Sequence, residues 1–233
     1  MRLKIDFHVH TSYSDGSGTI KDILRVAKSR GLDGLAITDH EVLNGYFEAK
    51  SYDSGLIILP GYEVSTDAGH VLIIGLEGEL PPNAGSRQLM PYDEIIDWVR
   101  LNDGLTILAH PAIEVLKLDR WMRHKPDAVE VLNSLYPLHY LVKRGLSVSL
   151  KLGVAGVGGS DAHNPLNVGN AYTILDIEGE PSERSIKEAV RKNRATYGGS
   201  LAPLSTRLRM GFDYILSKAV HRIDGGERYE TWV

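Results

Sequence analysis

The sequence alternates about seven times between short apolar segments and longer segments of helical periodicity. Alternation of this kind predicts a parallel β-sheet with helices packed outside it. The predicted strands cover residues 3–7, 35–38, 56–59, 71–76, 105–109, 128–132 and 153–157, and an edge strand covers 171–174. The predicted helices cover residues 20–30, 44–52, 92–101, 114–123, 138–150, 182–193 and 207–221.

Residues of the types that bind metal ions follow several of these apolar segments. Asp6-Phe7-His8-Val9-His10 closes the first one, and in extended chain His8 and His10 project from the same face, where both imidazoles can bind one ion. The other residues of this kind are Asp15, His40, Glu63, His70, His110, Asp161 and His163. A single histidine is more often structural, but the recurrence along the chain predicts one polynuclear metal site.

The positions of these residues also bear on how the sheet is arranged. An open sheet gathers ligands from a few loops at one switch point, whereas a barrel brings every strand end to one face. The candidates follow the first, second, third, fifth and seventh predicted strands, so only closure collects them. We therefore expect an irregular seven-stranded α/β barrel that forms a single domain over residues 1–233. The motifs lie in residues 1–165, and a helical part covers 182–222.

Composition excludes several other kinds of site. The chain has no cysteine, which excludes disulfides, zinc–thiolate sites, iron–sulfur clusters and cysteine nucleophiles. It shows no signal sequence and no apolar run long enough to span a bilayer, so we expect a cytoplasmic protein without membrane contact. The net charge of −4 argues against general nucleic-acid binding. However, residues 182–222 hold nine Lys and Arg against three acidic residues.

The motifs, taken in order, resemble those of the polymerase and histidinol phosphatase (PHP) family of metal-dependent phosphoesterases. They are Asp6-x-His8-x-His10, Thr38-Asp39-His40, Gly61-x-Glu63, Ala109-His110-Pro111 and Gly159-Ser160-Asp161-x-His163. No single motif is decisive, but the ordered set is specific. The resemblance implies a distorted (β/α)7 barrel that binds up to three metal ions at the C-terminal ends of its strands.

The resemblance also implies which residues bind each ion. The first ion is expected to bind His8, His10, Glu63 and Asp161, and the second to share Glu63 and bind His110 and His70. The third is expected to bind Asp15, His40 and His163. Imidazole and carboxylate ligands suit Mn²⁺, Fe²⁺ or Zn²⁺, so we expect two to three such ions. A carboxylate shared by two ions would hold them roughly 3.5–4 Å apart.

The expected reaction is attack of a hydroxide held between two ions on the phosphorus of a small phosphorylated metabolite or nucleotide. His163, His40 and Asp161 are the predicted catalytic residues, the histidines as candidate proton donors. The predicted phosphate-binding residues are Lys117, Arg120 and Arg123, and Arg87 in a Gly- and Pro-rich loop is a further candidate. The remaining candidates are Asp6 and Asp39, as ligands or partners of ligand histidines, and Glu130 and Asn133, as orienting groups.

Two other functions fit parts of the pattern. A nucleic-acid-associated PHP protein, either a nuclease or an RNA-binding subunit, would use the basic segment 182–222. An amidohydrolase also places His-x-His after the first strand of a barrel. Many amidohydrolases need a bridging lysine after a middle strand, whereas here Glu63 and His110 occupy the middle strand ends.

Overall fold

The computed structural model describes residues 1–81 and 89–209. The strands in these residues are β1 Arg2–Asp6, β2 Gly34–Ile37, β3 Ile57–Thr66, β4 Gly69–Ile74, β5 Leu105–Leu108, β6 Ala128–Asn133, β7 Ala155–Gly159, β8 Ala171–Asp176 and β9 Ala195–Gly199. The helices are α1 Ile20–Ser29, α2 Asn44–Lys50, α3 Tyr92–Leu101, α4 Leu118–Arg123, α5 Tyr140–Leu152 and α6 Glu183–Arg191. A short 3-10 helix covers Pro165–Asn167, and residues 204–209 are helical.

The strands form one sheet in the order β7-β6-β5-β4-β3-β2-β1-β8-β9. Strands β1, β2 and β3 are parallel, as are β5, β6 and β7. Strand β4 runs antiparallel to both of its neighbours, and β8 runs antiparallel to β1 and β9. The predicted α/β barrel class is confirmed. The described chain has nine strands where the sequence predicted seven and an edge strand.

Strand β3 continues through Pro60 and Gly61, where the sequence indicated that a strand ends. Pro60 is the last residue of β3 paired with β2, and Gly61 is the first paired with β4. The carbonyl of Pro60 accepts a hydrogen bond from Gly75 N–H at 2.9 Å. The missing N–H of Pro60 thus falls where the strand changes partner, a position at which a strand tolerates proline. Glu63 consequently lies within β3, opposite Leu72 of β4.

Side-chain and loop hydrogen bonds join β7, at one end of the strand order, to the strands near the other end and nearly close the barrel. Gly158 N–H of β7 donates to Thr173 Oγ1 of β8 at 3.1 Å, and this hydroxyl donates to the Gly158 carbonyl at 2.8 Å. Beyond β1, His10 N–H donates to the Ala162 carbonyl at 3.1 Å. The segment predicted as an edge strand, residues 171–174, is therefore an internal strand between β1 and β9.

One core cluster fills the barrel, and α6 covers one end of it. This cluster contains residues of β1 to β8 together with Ile186, Ala189 and Val190 of α6, and none from α1 to α5 among the described residues. The other helices pack outside the sheet, for example α1, whose Thr19 side chain accepts Asp22 N–H and caps the helix. The end of the barrel opposite α6 is left for the polar residues that follow the strands.

Some predicted elements fall partly outside the described residues. Of the predicted helix over residues 207–221, the described part is helical to residue 209. The predicted helix 114–123 is shorter, since α4 begins at Leu118. No helix within residues 1–81 and 89–209 has both the length and the apolar composition that crossing a bilayer requires.

We expect Thr173→Val to lower the free energy of unfolding by about 1–3 kcal/mol, because the buried Gly158 N–H loses its acceptor. Urea unfolding followed by circular dichroism measures the change. Thr196→Val, on the exposed part of β9, is the matched control and should change stability little. Equal stability of the two variants would show that the Thr173 hydroxyl does not hold β7 against β8.

Candidate metal centre

The structure brings the nine predicted ligand residues together. Their nitrogen and oxygen atoms form overlapping groups in which the chosen atoms lie within 4.8 Å of one another. The groups are His8, His10 and Glu63; His8, His110 and Asp161; Glu63, His70 and His110; and His10, Asp15, His40 and His163. Most of these side chains are buried, so the cluster lies inside the mouth of the barrel and not on its surface.

The first group has the spacing of a tetrahedral ligand set. His8 Nε2, His10 Nε2 and Glu63 Oε2 lie 3.1 Å from one another. Asp161 Oδ1 lies 3.4 Å from each of the two histidine nitrogens. Four atoms at about 2.0–2.2 Å from a shared ion would stand roughly 3.3–3.6 Å apart in tetrahedral geometry. The group therefore fits a divalent cation with little rearrangement.

Glu63 faces two histidine pairs at once. While Oε2 contacts His8 and His10, Oε1 lies 2.8 Å from His70 Nδ1 and 3.0 Å from His110 Nε2. A carboxylate placed in this way can bind two ions, one through each oxygen. The structure thus brings His70 to the same carboxylate as His110. The assignment of individual ligands to individual ions stays a prediction.

Asp15 collects the remaining histidines. Its Oδ2 lies 3.1 Å from His163 Nε2 and 3.3 Å from His40 Nε2, and its Oδ1 lies 3.4 Å from His10 Nδ1. The buried atoms His10 Nδ1 and His40 Nε2 form no hydrogen bond with any described residue. Buried polar atoms usually have a partner, so nitrogens aimed at a carboxylate without hydrogen-bonding to it favour a bound cation here.

The charged groups of the cluster shift one another's pKa values. Burial alone would raise the pKa of Glu63, but the charge of His8 and the other histidines outweighs it and holds that pKa well below its usual range. Likewise burial would lower the pKa of His8, but Asp161, Glu63 and Glu130 raise it well above the ordinary histidine value. Burial also opposes protonation of His110, and Glu63 again raises its pKa. These pKa directions favour charged contacts of His8 and His110 with Glu63 in the metal-free protein.

Asp39 holds the loop that carries Asp15. Its Oδ1 accepts hydrogen bonds from Thr11 N–H at 2.7 Å and from the Ser14 hydroxyl at 2.6 Å. Its Oδ2 accepts a further bond from the Thr11 hydroxyl at 2.7 Å. The sequence left Asp39 open as a ligand or as a partner for a histidine ring. The structure instead assigns its oxygens to the loop between β1 and α1.

Asp6 ties together three segments at the mouth of the barrel. Its oxygens accept backbone N–H groups of Ser160 at 2.9 Å, Gly169 at 2.8 Å and His8 at 3.2 Å. Complete burial raises its pKa to about 6, although these hydrogen bonds act in the opposite direction. Asp6 therefore contacts backbone groups and, in the described structure, hydrogen-bonds to no histidine ring.

Glu130, within β6, orients His8. Its Oε1 lies 3.1 Å from His8 Nδ1, which assigns the ring proton to that nitrogen and leaves Nε2 free to bind a cation. This approach requires a glycine at position 159 of β7, because a Cβ there would lie 2.4 Å from Glu130 Oε1. The sequence predicted an orienting role for Glu130, and its contact with His8 accords with that role.

The structure gives the predicted phosphate-binding residues other partners. Arg120 of α4 pairs with Asp67 at 2.6 Å and with Asp93 at 2.9 Å, and the Lys117 ammonium donates to the Asp67 carbonyl. Both cations thus hold the turn between β3 and β4, which leads to His70. Arg123 is exposed at the end of α4, and Arg87 lies outside the described residues.

A cleft of about 510 Å³ lies beside the cluster. It is lined by His40, Leu43, Phe47, Tyr62 and Glu77, among other residues. Phe47 is 52% exposed and gives the cleft an aromatic wall. The sequence analysis did not identify this cleft, and its clearest sequence signal is an aromatic residue in a weak helical pattern shortly after His40.

The basic segment is largely neutralised where the structure describes it. Each Lys and Arg between residues 184 and 194 has an acidic partner within 4 Å. The pairs are Lys187–Asp103, Arg191–Asp103, Arg184–Glu188, Lys192–Glu188 and Arg194–Glu178. Lys218 and Arg222 lie outside the described residues. Residues 184–194 are therefore a paired surface with little excess positive charge, whereas Arg207 hydrogen-bonds to the carbonyls of Ala202 and Pro137.

The sequence matches two protein-family models and resembles several known proteins. The family model described as PHP domain matches residues 6–144, and the one described as PHP-associated matches residues 143–195. A protein of Methanocaldococcus jannaschii is 31% identical over 149 residues, which are 58% of this chain and 84% of that protein. The phosphoribosyl 1,2-cyclic phosphate 1,2-diphosphodiesterase of Eggerthella lenta is 36% identical over 84 residues, 33% of this chain and 32% of that enzyme.

The fold is also found in solved structures. A two-domain protein of Bacteroides vulgatus that contains a PHP-like metal-dependent phosphoesterase superposes with a TM-score of 0.71. The sequence identity is 19%, and the match covers 90% of this chain and 68% of that one. This likeness shows that the two chains share a barrel fold.

We expect cation binding by the metal-free protein to release protons near neutral pH. The raised pKa values of His8 and His110 mean that these imidazoles carry protons, which a bound cation must displace. Calorimetric titration with Mn²⁺ in two buffers of different ionisation enthalpy measures the protons released. Binding should weaken as the pH falls below the raised values. A binding enthalpy that is identical in both buffers would contradict the expectation.

Proposed function

The chain belongs to the PHP family, and we propose that it hydrolyses a small phosphomonoester with divalent ions held by the nine-residue cluster. The observation that carries the proposal is Glu63, whose two carboxylate oxygens face two separate histidine pairs. A carboxylate shared in this way is typical of sites that bind two ions and cleave phosphate esters. A small metabolite or a nucleotide is the proposed substrate.

When bound, the ions would neutralise charge on the phosphate and activate a water molecule. The residues of this chain orient the side chains that would bind these ions. Glu130 fixes the His8 ring, and the Asp161 carbonyl lies 3.0 Å from His163 Nδ1, which keeps a proton on that nitrogen. Among the proposed catalytic residues, His40 also lines the cleft. We therefore place the leaving alcohol in the cleft, beside His40.

Two contacts argue against the other functions that the sequence left open. An amidohydrolase of the lysine-bridged type needs a lysine where Glu63 stands, and Lys187, the buried lysine of the described chain, hydrogen-bonds to the Asp103 carbonyl at 2.8 Å. A nucleic-acid partner would need free cations, and those of residues 184–194 are paired. Both observations leave phosphomonoester hydrolysis as the proposed function.

Elemental analysis combined with phosphate release tests the proposal. The purified protein would be analysed for bound Mn, Fe and Zn and then assayed with a panel of phosphomonoesters in added Mn²⁺. A phosphodiester is assayed beside the monoesters, because the Eggerthella lenta relative is a diphosphodiesterase. Bound metal with release of phosphate from monoesters supports the proposal. Cleavage of the diester alone, or no cleavage of any compound, would refute it.

We expect Glu63→Gln to lower both metal content and kcat, by at least about 100-fold in kcat, because an amide cannot bind two cations through two anionic oxygens. Metal content by mass spectrometry and steady-state kinetics measure the two effects. Glu94→Gln, which makes the same change on the exposed face of α3, is the matched control. Turnover by a Glu63→Gln variant at the wild-type rate would refute the bridging role.

We propose that Arg123 contributes to phosphate binding, while Arg120 and Lys117 act chiefly on the turn before His70. Arg123→Ala should therefore raise KM for a dianionic monoester about tenfold and leave kcat nearly unchanged. Arg25→Ala, on the exposed face of α1, controls for the loss of one surface charge. The same KM for the two variants would show that Arg123 is an ordinary surface residue.

A further inference from the structure

Strand β6 contains an irregularity that changes which side chains reach the metal centre. Glu130 pairs with Val157 and Leu132 pairs with Gly158, so two residues of β6 advance against one of β7, as in a β-bulge. In a regular strand, residues three apart point to opposite faces. The extra residue brings Glu130 and Asn133 onto one face, and both side chains are buried.

The hydrogen bonds of Asn133 determine how its amide is oriented. Asn133 Oδ1 accepts Leu135 N–H at 2.8 Å, which turns Nδ2 toward the metal centre. Nδ2 then donates to Glu130 Oε2 at 3.0 Å and to Asp161 Oδ2 at 3.0 Å. An amide nitrogen has two hydrogens, so each one has an acceptor and the orientation is fully determined.

These bonds give the two carboxylate oxygens of Asp161 different partners. Oδ2 accepts from Asn133, and Oδ1 is left to face His8 Nε2 and His10 Nε2, each at 3.4 Å. The backbone of Asp161 has φ +53°, a left-handed conformation that few residues other than glycine adopt. Such a backbone persists where the surroundings hold it in place, and the Asn133 amide is a contact of this kind.

The same amide is linked to ligands from other strands through Glu130. Glu130 Oε1 contacts His8 Nδ1, and Oε2 accepts the backbone N–H of His110 at 2.9 Å. One Asn133 nitrogen therefore connects the residues after β1, β5 and β7. The His8 ring contacts the other oxygens of the same two carboxylates, Glu130 Oε1 at 3.1 Å and Asp161 Oδ1 at 3.4 Å.

We propose that Asn133 is a positioning residue that holds Asp161 with a single oxygen toward His8 and His10. It does so by donating one amide hydrogen to Asp161 and the other to Glu130. The inference rests on the metal-binding part of the proposed function and is independent of the substrate. Its readout is therefore the affinity of the protein for a metal ion.

Titration of the metal-free protein with Mn²⁺ against a chromophoric chelator tests the inference. Asn133→Ala should weaken binding about 10–100-fold, the usual effect of removing a partner that orients a ligand. Thr106→Ala is the matched control, since it removes a buried side chain that hydrogen-bonds to Asp127 elsewhere in the barrel. It should lower the melting temperature of the metal-free protein as Asn133→Ala does, but leave the affinity unchanged.

Asn133→Asp keeps the shape of the side chain and separates positioning from simple charge. A third carboxylate beside Glu130 and Asp161 would by itself attract a cation more strongly. Loss of both donated hydrogens should instead release Asp161, so the proposal requires weaker Mn²⁺ binding than in the wild type. Asn133→Asp is thus a second variant, beside Asn133→Ala, in which Mn²⁺ affinity is measured.

The outcomes distinguish the inference from the proposed function. Weaker Mn²⁺ binding in the Asn133 variants, with wild-type affinity in Thr106→Ala, supports the positioning role. Wild-type or tighter binding by Asn133→Asp overturns it and leaves the proposed function standing. Equal loss of affinity in Thr106→Ala also overturns it, since any buried hydrogen bond would then have the same effect. A wild-type protein that binds no Mn²⁺ overturns the inference together with the proposed function.

Discussion

The Glu63 carboxylate, held between two histidine pairs, constrains the barrel more than any other contact. Burying a carboxylate costs several kcal/mol unless charged or hydrogen-bonding groups surround it. Its partners come from three other parts of the sheet: His8 and His10 beyond β1, His70 at the start of β4, and His110 beyond β5. Because β4 is antiparallel, its first residues lie at the barrel end where β3 and β5 finish. A parallel β4 would place His70 at the opposite end of the barrel.

A second layer of buried carboxylates accepts hydrogen bonds from the backbone of the segments that carry the predicted ligand residues. Asp39 holds the loop before Asp15, Asp6 holds the loop after β7, and Glu130 accepts the His110 N–H. Two of the predicted ligand residues, His110 and Asp161, have positive φ angles of 28° and 53°. Such conformations cost about 1–3 kcal/mol each and persist only where neighbouring contacts compensate. The fixed backbone is thus part of what directs these ligands inward.

The sequence could predict the residues of the cluster because most of them lie beside an apolar segment, and their recurrence is visible without a structure. It could not predict that β4 is antiparallel to both of its neighbours. A strand buried on both faces reads as a continuous apolar run in either direction. Pro60 was interpreted as the end of a strand, yet β3 exchanges one partner for another there and needs no N–H. The bulge that aligns Glu130 with Asn133 has no composition signal, since its residues are ordinary strand formers.

The apolar core and the polar cluster occupy different levels along the barrel axis. The residues that stabilise the fold are therefore largely different from the residues that would bind the ions. The inner core runs from α6 upward through residues such as Ile5, Leu72 and Ile107. Most of the predicted ligand residues lie beyond the ends of the same strands, whereas Glu63 and His70 lie within β3 and β4. A chain of this length can bury enough apolar surface to fold without metal. The cost of a buried, strained cluster can therefore be met by the core below it, which leaves the ligand geometry free to suit the reaction.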